Sequence, residues 1–256
     1  MRMRQIALMS RKIDPIARQL DAVFGLKVGF RDPGVAYFGL ANIVCPVGGE
    51  FLEVLEPIRE DASGARYLAR RGGDAGYMVI LQDDDALSHR ARLADQGVRV
   101  IATSREGRYT YTHFHPVDCA GVLLSIDSVE GDAAWTQPKS DWPPAGPEWR
   151  DHESDQSLGI SAVTIQSRDP VGACERWCAL LDRGASTEGD GLQITLERGV
   201  IRFASPLDED GTGVVGLDIE VRDPHAVLER ARAEGLPVAA GATQICGVVM
   251  RPVTVS

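Results

Sequence analysis

The chain has 256 residues, of which 44% are hydrophobic and 25% charged, and its formal net charge is −10 at pH 7. This length suits one large domain or two of ordinary size, and the composition is that of a soluble globular protein. The acidic balance argues against a nucleic-acid partner, because polyphosphate binding needs concentrated Lys and Arg. No apolar run approaches the roughly 20 residues of a membrane-spanning helix, so we expect no membrane partner.

The N-terminal residues MRMRQIALMS are basic, but their apolar part is too short for a signal peptide and alternates like a strand. The five cysteines are scattered and lack the CxxC or Cys/His spacing of structural zinc. We therefore expect a cytoplasmic protein without a zinc-stabilised fold.

Four segments repeat one plan, in which an apolar strand leads through an acidic turn into an amphipathic helix. The turn contains Asp-Pro in three copies and Asp-Asp in the second. Asp accepts hydrogen bonds from the unpaired N–H groups at a helix start, and Pro is favoured at the first helical position. The four segments are QIALMSRKIDPIARQLDAVFGL (5–26), GYMVILQDDDALSHRARLADQGVRV (76–100), AVTIQSRDPVGACERWCALLD (162–182) and GLDIEVRDPHAVLERARAEGLPV (216–238).

Strand-like runs follow each helix, so the plan is β-α-β-β-β, four times, with a shorter last copy. In the first unit the runs are KVGFRD, VAYFGLANIV and EFLEVLEP; in the second, VRVIATS, RYTYTHFHP and GVLLSIDS; in the third, LQITLERG and VIRFASP; in the fourth, VAAGATQ and ICGVVMRPV.

A Pro- and Trp-rich segment, 131–157, separates the second and third units and contains Trp135, Trp142 and Trp149. A disordered linker rarely carries three large aromatic residues, so we expect an ordered linker whose tryptophans lie across a domain surface. The predicted domains are 1–130 and 158–256.

Four such units, two per domain, resemble the vicinal oxygen chelate (glyoxalase-like) superfamily. The runs FLEVLEP, GYMVILQDDD, the HP of HFHP, and GVLLSID resemble the ends of that superfamily's strands. The resemblance implies an α+β fold in which four βαβββ modules pair into two glyoxalase-like domains, the last module shortened. It covers residues 4–128 well and 158–253 more loosely.

In this superfamily the metal ligands come from the first and last strand of each module of a pair. The resemblance maps these positions onto Gln5, Glu53, Tyr77 and Ser125. Gln5 and Glu53 can each give an oxygen to a cation, whereas a phenol and a hydroxyl are poor ligands. With His113 as a replacement ligand, the expected site holds one divalent cation (Mn, Fe, Co, Ni or Zn) through Gln5, Glu53 and His113; the alternative is that no metal binds.

In the second domain the corresponding positions are Ala162, Arg202, Gly216 and Arg251. A guanidinium cannot bind a cation, so we expect no metal there. Arg202 and Arg251 together suit a carboxylate or phosphate, or else they pair with acids such as Glu197 or Glu220.

The run RYTYTHFHP (108–116), read as a strand, places Tyr109, Tyr111, His113 and His115 on one face. If this face lines a pocket, either histidine can act as a general base, since an ordinary histidine titrates near pH 6.5. The alternative is a solvent-facing strand in which His115 caps a turn before Pro116.

Glu53 is a lone carboxylate in the apolar run FLEVLEP. Burial raises the pKa of such a group, which suits proton abstraction; the alternative is an edge residue paired with an arginine. We therefore predict Glu53, His113 and His115 as catalytic residues. The predicted substrate-binding residues are Gln5, Asn42, Tyr77, Tyr111 and Ser125.

The leading hypothesis is an isomerase-, epimerase- or lyase-like enzyme that abstracts a proton next to a carbonyl of a small oxygenated metabolite. The alternative is a non-catalytic protein that binds or sequesters a small molecule on the same fold. An extradiol-type dioxygenase is disfavoured, because Ala162, Arg202 and Gly216 cannot supply the two histidines and one carboxylate that hold its iron. Either a monomer or a homodimer is compatible with four units.

Overall fold

A computed structural model of the protein describes residues 1–188, 191–206 and 211–255. It confirms the α+β class and the paired βαβββ modules. The first two modules form one sheet and the last two form another, with the segment 130–156 between them. The predicted second domain, 158–256, also contains residues 189–190, 207–210 and 256, which lie outside the described residues.

The first sheet has seven strands, which belong with three helices to modules one and two. The elements are β1 (Arg2–Met9), α1 (Ile13–Phe24), β2 (Leu40–Val47), β3 (Glu50–Pro57), α2 (Ser63–Arg71), β4 (Ala75–Gln82), α3 (Ala86–Asp95), β5 (Val100–Glu106), β6 (Tyr109–Phe114) and β7 (Leu123–Val129). Their order across the sheet is β2-β3-β1-β4-β7-β6-β5. The central strands β1 and β4 are antiparallel, and each pairs in parallel with the last strand of its own module.

The second sheet repeats this arrangement with eight strands. Its elements are β8 (Ser157–Gln166), α4 (Pro170–Leu181), β9 (Ser186–Glu188), β10 (Gly191–Thr195), β11 (Val200–Ala204), β12 (Gly213–Val221), α5 (Pro224–Ala233), β13 (Val238–Ala239), β14 (Ala242–Ile245) and β15 (Val248–Thr254). The order is β13-β14-β15-β12-β8-β11-β10-β9, with β8 and β12 antiparallel at the centre. β13 and β14 have two and four residues, which confirms the shortened last module.

The acidic turns start three of the four repeat helices in the expected way. Asp85, Asp169 and Asp223 are N-caps, and each accepts a hydrogen bond from the backbone N–H three residues later. The first helix differs, because it begins at Ile13 and its first N–H donates to the carboxylate of Glu56 at 2.9 Å. A side chain from β3 thus replaces the local cap.

Two segments of the first sheet differ from the predicted strand pattern. KVGFRD (27–32) contributes only an isolated bridge between Phe30 and Val44, and the next residues form a 3-10 turn, Pro33–Phe38. Asp32 caps this turn, and Pro33 occupies its first position, where a missing N–H costs nothing. The first module therefore has two strands after its helix instead of three.

Helix α2, between the first two modules, is absent from the predicted elements. Its C-terminal end carries Arg70 and Arg71, where cations complement the helix dipole, and Arg66 lies one turn earlier. These three arginines therefore lie on one helix, which ends at the Gly72 C-cap.

The pairing of β1 with β4 shifts register twice, and each shift changes the face that side chains occupy. One shift lies between Met3 and Gln5, and the other leaves Tyr77 as an extra residue between the partners of Ala7 and Leu8. Met3 consequently packs with Leu8 in the core beneath the helices, whereas Gln5 and Ala7 face the opposite side of the sheet.

The linker between the sheets is held by arginines of β1. Arg4 is fully buried and donates to the carbonyl oxygens of Gly49 (2.6 Å) and Ser140 (2.8 Å). Its guanidinium also lies over the rings of Phe51 and Trp142, at 5.1 and 5.3 Å from their centroids. These contacts fix the linker on the first sheet, as its aromatic content predicts.

The three tryptophans of the linker differ in how deeply they are buried. Trp142 and Trp149 are 2% and 1% exposed and pack on Phe51, whereas Trp135 is half-buried. Two of the three tryptophans are therefore core residues of the first sheet.

Glu50, at the start of β3, joins the two sheets. Its carboxylate pairs with Arg2 at 2.7 Å and with Arg198, and it accepts a hydrogen bond from the backbone N–H of Ile160 on β8 at 3.1 Å. Glu50 and Arg2 are fully buried. A buried carboxylate with two guanidiniums and an N–H donor is fully satisfied, so its partners resist separation.

Two hairpin tips pack directly on the backbone of the other sheet. A Cβ at Gly48, between β2 and β3, would lie 2.0 Å from the carbonyl oxygen of Leu158; one at Gly247, between β14 and β15, would lie 1.9 Å from that of Asp74. Both glycines also have positive φ values. Only glycine allows this close approach.

No helix in the described part of the chain is long and apolar enough to cross a membrane.

Replacing Glu50 by Gln should lower the free energy of unfolding by about 3–5 kcal/mol, because Arg2 then keeps a buried charge without its counterion. Urea denaturation followed by circular dichroism measures this loss. Glu130→Gln is the matched control, since it removes the same charge from an exposed pair with Arg105 and should cost less than about 1 kcal/mol. Equal effects of the two substitutions would contradict the structural role of Glu50.

Candidate functional site

The side of the first sheet that faces away from α1 and α3 borders a cavity of about 690 Å³. All seven strands, the 3-10 turn, the start of α2 and the linker contribute to its wall. The wall is mostly apolar and aromatic with a few polar groups, as is usual for ligand pockets. Of the predicted site residues, those that line it are Gln5, Asn42, Glu53, Tyr77, Tyr111 and His113.

Glu53 lies deep in this cavity and is 6% exposed. Each of its carboxylate oxygens accepts a hydrogen bond from a side-chain amide: Oε1 from Asn42 at 2.7 Å and Oε2 from Gln5 at 2.8 Å. The three residues come from β2, β3 and β1, which are neighbours in the sheet. The carboxylate is therefore held in one orientation without an arginine or lysine.

Donor-only partners fix the orientation of both amides. The indole Nε1–H of Trp142 donates to Gln5 Oε1 at 2.7 Å, and the backbone N–H of Asp32 donates to Asn42 Oδ1 at 2.8 Å. An indole N–H and a backbone N–H cannot accept, so each amide must turn its oxygen toward them and its NH2 group toward Glu53. A residue of the linker thus helps to orient the carboxylate.

The electrostatics of Glu53 combine opposing influences. Burial raises its pKa above the ordinary value of 4.5, the hydrogen bonds from Asn42 and Gln5 lower it in part, and the negative charge of Asp32 raises it further. The net direction is upward. Glu53 is therefore a stronger base than an exposed glutamate.

His113 faces the same cavity from β6 and stacks in a tilted arrangement on Tyr111, with 4.7 Å between ring centroids. Burial lowers its pKa to about 4. The imidazole is consequently neutral at pH 7, with one N–H to donate and one nitrogen to accept.

Asp127 on β7 is a second buried carboxyl group, and it is not among the site residues predicted from the sequence. It accepts hydrogen bonds from Tyr109, at 2.6 Å, and from Ser125, and burial raises its pKa to about 7. Burial also raises the pKa of Tyr109, which lines the cavity. The sequence signal was available, because Asp127 is a lone carboxylate in the apolar run GVLLSID, as Glu53 is in FLEVLEP.

Trp142 was also missed as a site residue, and nothing in the sequence distinguishes it from Trp149. Its indole reaches Gln5 only because the linker folds back over β1.

Two predicted residues do not line the cavity. β6 ends at Phe114, and His115 caps the following turn by accepting a hydrogen bond from Val117 N–H at Nδ1 (3.2 Å). Ser125 is fully buried, and its single hydroxyl hydrogen is shared between the carboxylate of Asp127 and the carbonyl oxygen of Thr112. The alternation on the rest of the strand is as expected: Tyr109, Tyr111 and His113 face the cavity.

Tyr77 is the extra residue of β4, and it lines the cavity beside Met78 and Ile80. Its ring meets that of Tyr67 of α2 edge to face at 5.0 Å. Burial raises its pKa, so the phenol stays protonated at neutral pH and makes a poor metal ligand.

The proposed metal ligands Gln5, Glu53 and His113 do not form a ligand set. Gln5 directs its NH2 group, which cannot bind a cation, toward Glu53, and its oxygen is engaged by Trp142. Glu53 and His113 stand on strands separated by β1, β4 and β7. Within residues 1–188, 191–206 and 211–255, no three side chains of His, Cys, Asp and Glu converge on a point.

In the second sheet, Arg202 and Arg251 lie on β11 and β15 on either side of Asp218 of β12. Arg202 pairs with Asp218, and Arg251 lies 3.6 Å from its other carboxylate oxygen. The two arginines thus pair with an acid, although with Asp218 instead of Glu197 or Glu220.

Comparisons with known proteins identify the fold. No family model and no curated protein matches the chain. Among solved structures, a hypothetical protein from Staphylococcus aureus is 11% identical, with 99% of both chains covered and a TM-score of 0.70. A mutant of 4-hydroxymandelate synthase from Streptomyces coelicolor is 18% identical over 92% of this chain and 75% of that chain, with a TM-score of 0.65.

A methylmalonyl-CoA epimerase from Streptomyces coelicolor, in complex with 2-nitronate-propionyl-CoA, is 24% identical over 50% of this chain and 96% of that chain, with a TM-score of 0.46. The chain has the vicinal oxygen chelate, or glyoxalase-like, fold that the sequence resemblance predicted. One fold hosts many chemistries, so the function has to be argued from the site.

Asp127 should make stability fall as pH rises. Its folded-state pKa of about 7 exceeds the unfolded value of 3.8, so the folded state binds more protons between these values. The free energy of unfolding should therefore decrease between about pH 4 and pH 7 and then level off, by up to about 4 kcal/mol from this group. Asp127→Asn should remove that part of the slope.

Urea denaturation of the wild type and of Asp127→Asn at several pH values measures the slope. Asp141→Asn is the control, because Asp141 is exposed and paired with Arg108 and Arg150. An unchanged slope in Asp127→Asn would show that Asp127 is ionised throughout.

Proposed function

We propose that the protein is an enzyme that binds a small carbonyl compound in the cavity of the first sheet and removes a proton from the carbon next to the carbonyl. The observation that carries this proposal is Glu53: a buried carboxylate with a raised pKa, oriented by two amides, on the wall of a cavity of ligand size. Such a group combines basicity at neutral pH with a fixed position.

The neighbours of Glu53 suit a base better than a structural ion. A structural carboxylate in an apolar interior is usually paired with a cation, as Glu50 is with Arg2. Glu53 has neutral partners instead, so taking up a proton relieves the cost of its burial. The proton that leaves carbon moves to a carboxylate oxygen of Glu53, and the electron pair moves to the carbonyl oxygen of the substrate.

The negative charge that develops on that oxygen needs a hydrogen-bond donor on the cavity wall. Neutral His113 offers an N–H, and the phenols of Tyr77 and Tyr111 offer O–H groups. Returning the proton to the same carbon or to another gives epimerisation or isomerisation. Protonated Glu53 can return it, and Tyr109, backed by Asp127, is a second proton source on the wall.

A non-catalytic binding protein is the second candidate. It is favoured by the continuous series of aromatic rings on one wall, from Phe38 through His113 and Tyr111 to Tyr109. Binding alone would need these rings and not the base.

The test is exchange of carbon-bound hydrogen in D2O, followed by proton NMR on a panel of small ketones, hydroxyketones and thioesters. The wild type should exchange the α-proton of at least one compound, and Glu53→Gln should slow exchange about 10²–10⁴-fold. The rate should fall as pH decreases through the pKa of Glu53, because only the carboxylate is a base. His115→Ala, outside the cavity, should exchange at the wild-type rate.

Ligands that bind wild type and Glu53→Gln equally, without exchange in either, would make the protein a binding protein. Exchange that survives in Glu53→Gln would show a different base.

Trp142 should act as a positioning residue. In Trp142→Phe the oxygen of Gln5 loses its donor, so the amide can rotate and present its oxygen to Glu53. We expect kcat to fall about tenfold with little change in KM, and the acidic limb of the pH profile to move to higher pH, since Glu53 loses a hydrogen bond that favours its ionised form. Trp149→Phe removes a similar ring beside Phe51 and should leave the pH profile unchanged.

A further inference from the structure

The charged residues on the cavity wall are all acidic. They are Asp32 at the 3-10 turn, Glu53 and Glu106 at the end of β5. The cations nearest to them in sequence pair with other acids: Arg31 with Asp14, Arg105 with Glu130, and Arg108 with Asp141. Among the lining residues that the structure describes there is no lysine or arginine.

An anionic ligand would therefore enter a cavity of its own sign. Burial reduces screening by water, so like charges repel more strongly here than at an open surface. Carboxylates and phosphates are normally bound by arginine, lysine or a series of backbone N–H groups. The polar groups around Glu53 instead hydrogen-bond one another.

One wall of the cavity is a continuous series of aromatic rings, which we call the aromatic wall. Tyr37 and Phe38 meet edge to face at 5.1 Å, Phe38 lies 6.1 Å from His113, and Tyr111 and Tyr109 follow at 4.7 and 6.1 Å. The outer end is exposed, with Tyr37 at 84%. The faces of tyrosine and phenylalanine rings attract organic cations.

Basic residues occur outside the cavity, on and before α2. Arg59 pairs with Asp61, Arg66 donates to the carbonyl of Asp61, and Arg70 lies over the ring of Tyr67. None of them lines the wall. A phosphate-bearing ligand could contact these arginines only with its phosphate outside the cavity.

From this combination we infer that the cavity takes an organic cation: a small molecule with an apolar or aromatic body and a protonated amine, and not a carboxylate or phosphate ester. The inference rests on the proposed function in taking the same cavity as the substrate site. The amine contacts the aromatic wall and the acids near it, while the carbonyl end reaches Glu53.

Three probes of nearly equal size test the charge preference: 2-phenylethylamine, 2-phenylethanol and phenylacetate, with propionyl-CoA as a phosphate-bearing probe. Calorimetry and fluorescence of the full chain give the dissociation constants at pH 7.5. The amine should bind at least about tenfold more tightly than phenylacetate, with the alcohol between them.

The double substitution Asp32→Asn with Glu106→Gln should reduce the ratio between amine and carboxylate to less than about threefold, because the field that favours a cation is weakened. Glu229→Gln with Glu234→Gln removes two negative charges from α5 and its C-cap, beside the second sheet, and serves as the matched control. It should leave the ratio unchanged.

The inference would be overturned if phenylacetate or propionyl-CoA bound as tightly as the amine. If propionyl-CoA binding were then lost in Arg66→Gln with Arg70→Gln, phosphate recognition would be assigned to α2. Absence of binding by every probe up to about 10 mM, a weak limit even for fragments, would overturn it as well. The proposed function can fail independently of this inference. If the amine is preferred but no proton exchange occurs, the ligand class stands and the proposed reaction fails. If exchange occurs on substrates that carry only carboxylates or phosphates, the role of Glu53 as the base stands and the ligand class fails.

Discussion

The hydrogen bonds that hold the carboxylate of Glu53 between two amides are the interaction on which the candidate site depends. A carboxylate loses several kcal/mol of hydration when it enters an apolar interior, and without partners it would be neutral. Asn42 and Gln5 return part of that stabilisation without bringing a positive charge. The group therefore remains a base of raised pKa and does not become half of an ion pair.

The rest of the first sheet and the linker maintain this arrangement. The hydrogen bond from Trp142 to the oxygen of Gln5 keeps the NH2 group of Gln5 turned toward Glu53. Arg4 in turn holds the linker, and with it Trp142, on the sheet. Glu50, three residues before Glu53 on the same strand, is neutralised by arginines from β1 and from the second sheet. Two glutamates on one strand thus serve different purposes, because one has cationic partners and the other has amides.

The same reasoning separates the remaining polar residues of the cavity. Burial lowers the pKa of His113 to about 4, so its imidazole is neutral at pH 7 and suited to hydrogen bonding. Asp127 is buried with hydroxyl partners, and its pKa near 7 places its titration in the working range of an enzyme. The described lining combines acids, phenols and a neutral imidazole without arginine or lysine, and this electrostatic setting is the basis on which we propose a cationic ligand.

The sequence by itself determined the repeat architecture, because strand alternation, Asp-Pro turns and helical spacing are local signals that each module carries. It also indicated Glu53, since a carboxylate in an apolar run is unusual wherever the strand lies. It did not determine whether Gln5, Glu53 and His113 can form a metal site, where His115 lies, or which contacts Trp142 and Asp127 make. These depend on which way an amide turns, where a strand ends, how a linker folds back and where a bulge changes the facing of side chains. Such features are decided by contacts between residues far apart in the chain, as between Gln5 and Trp142. Only the tertiary structure contains them.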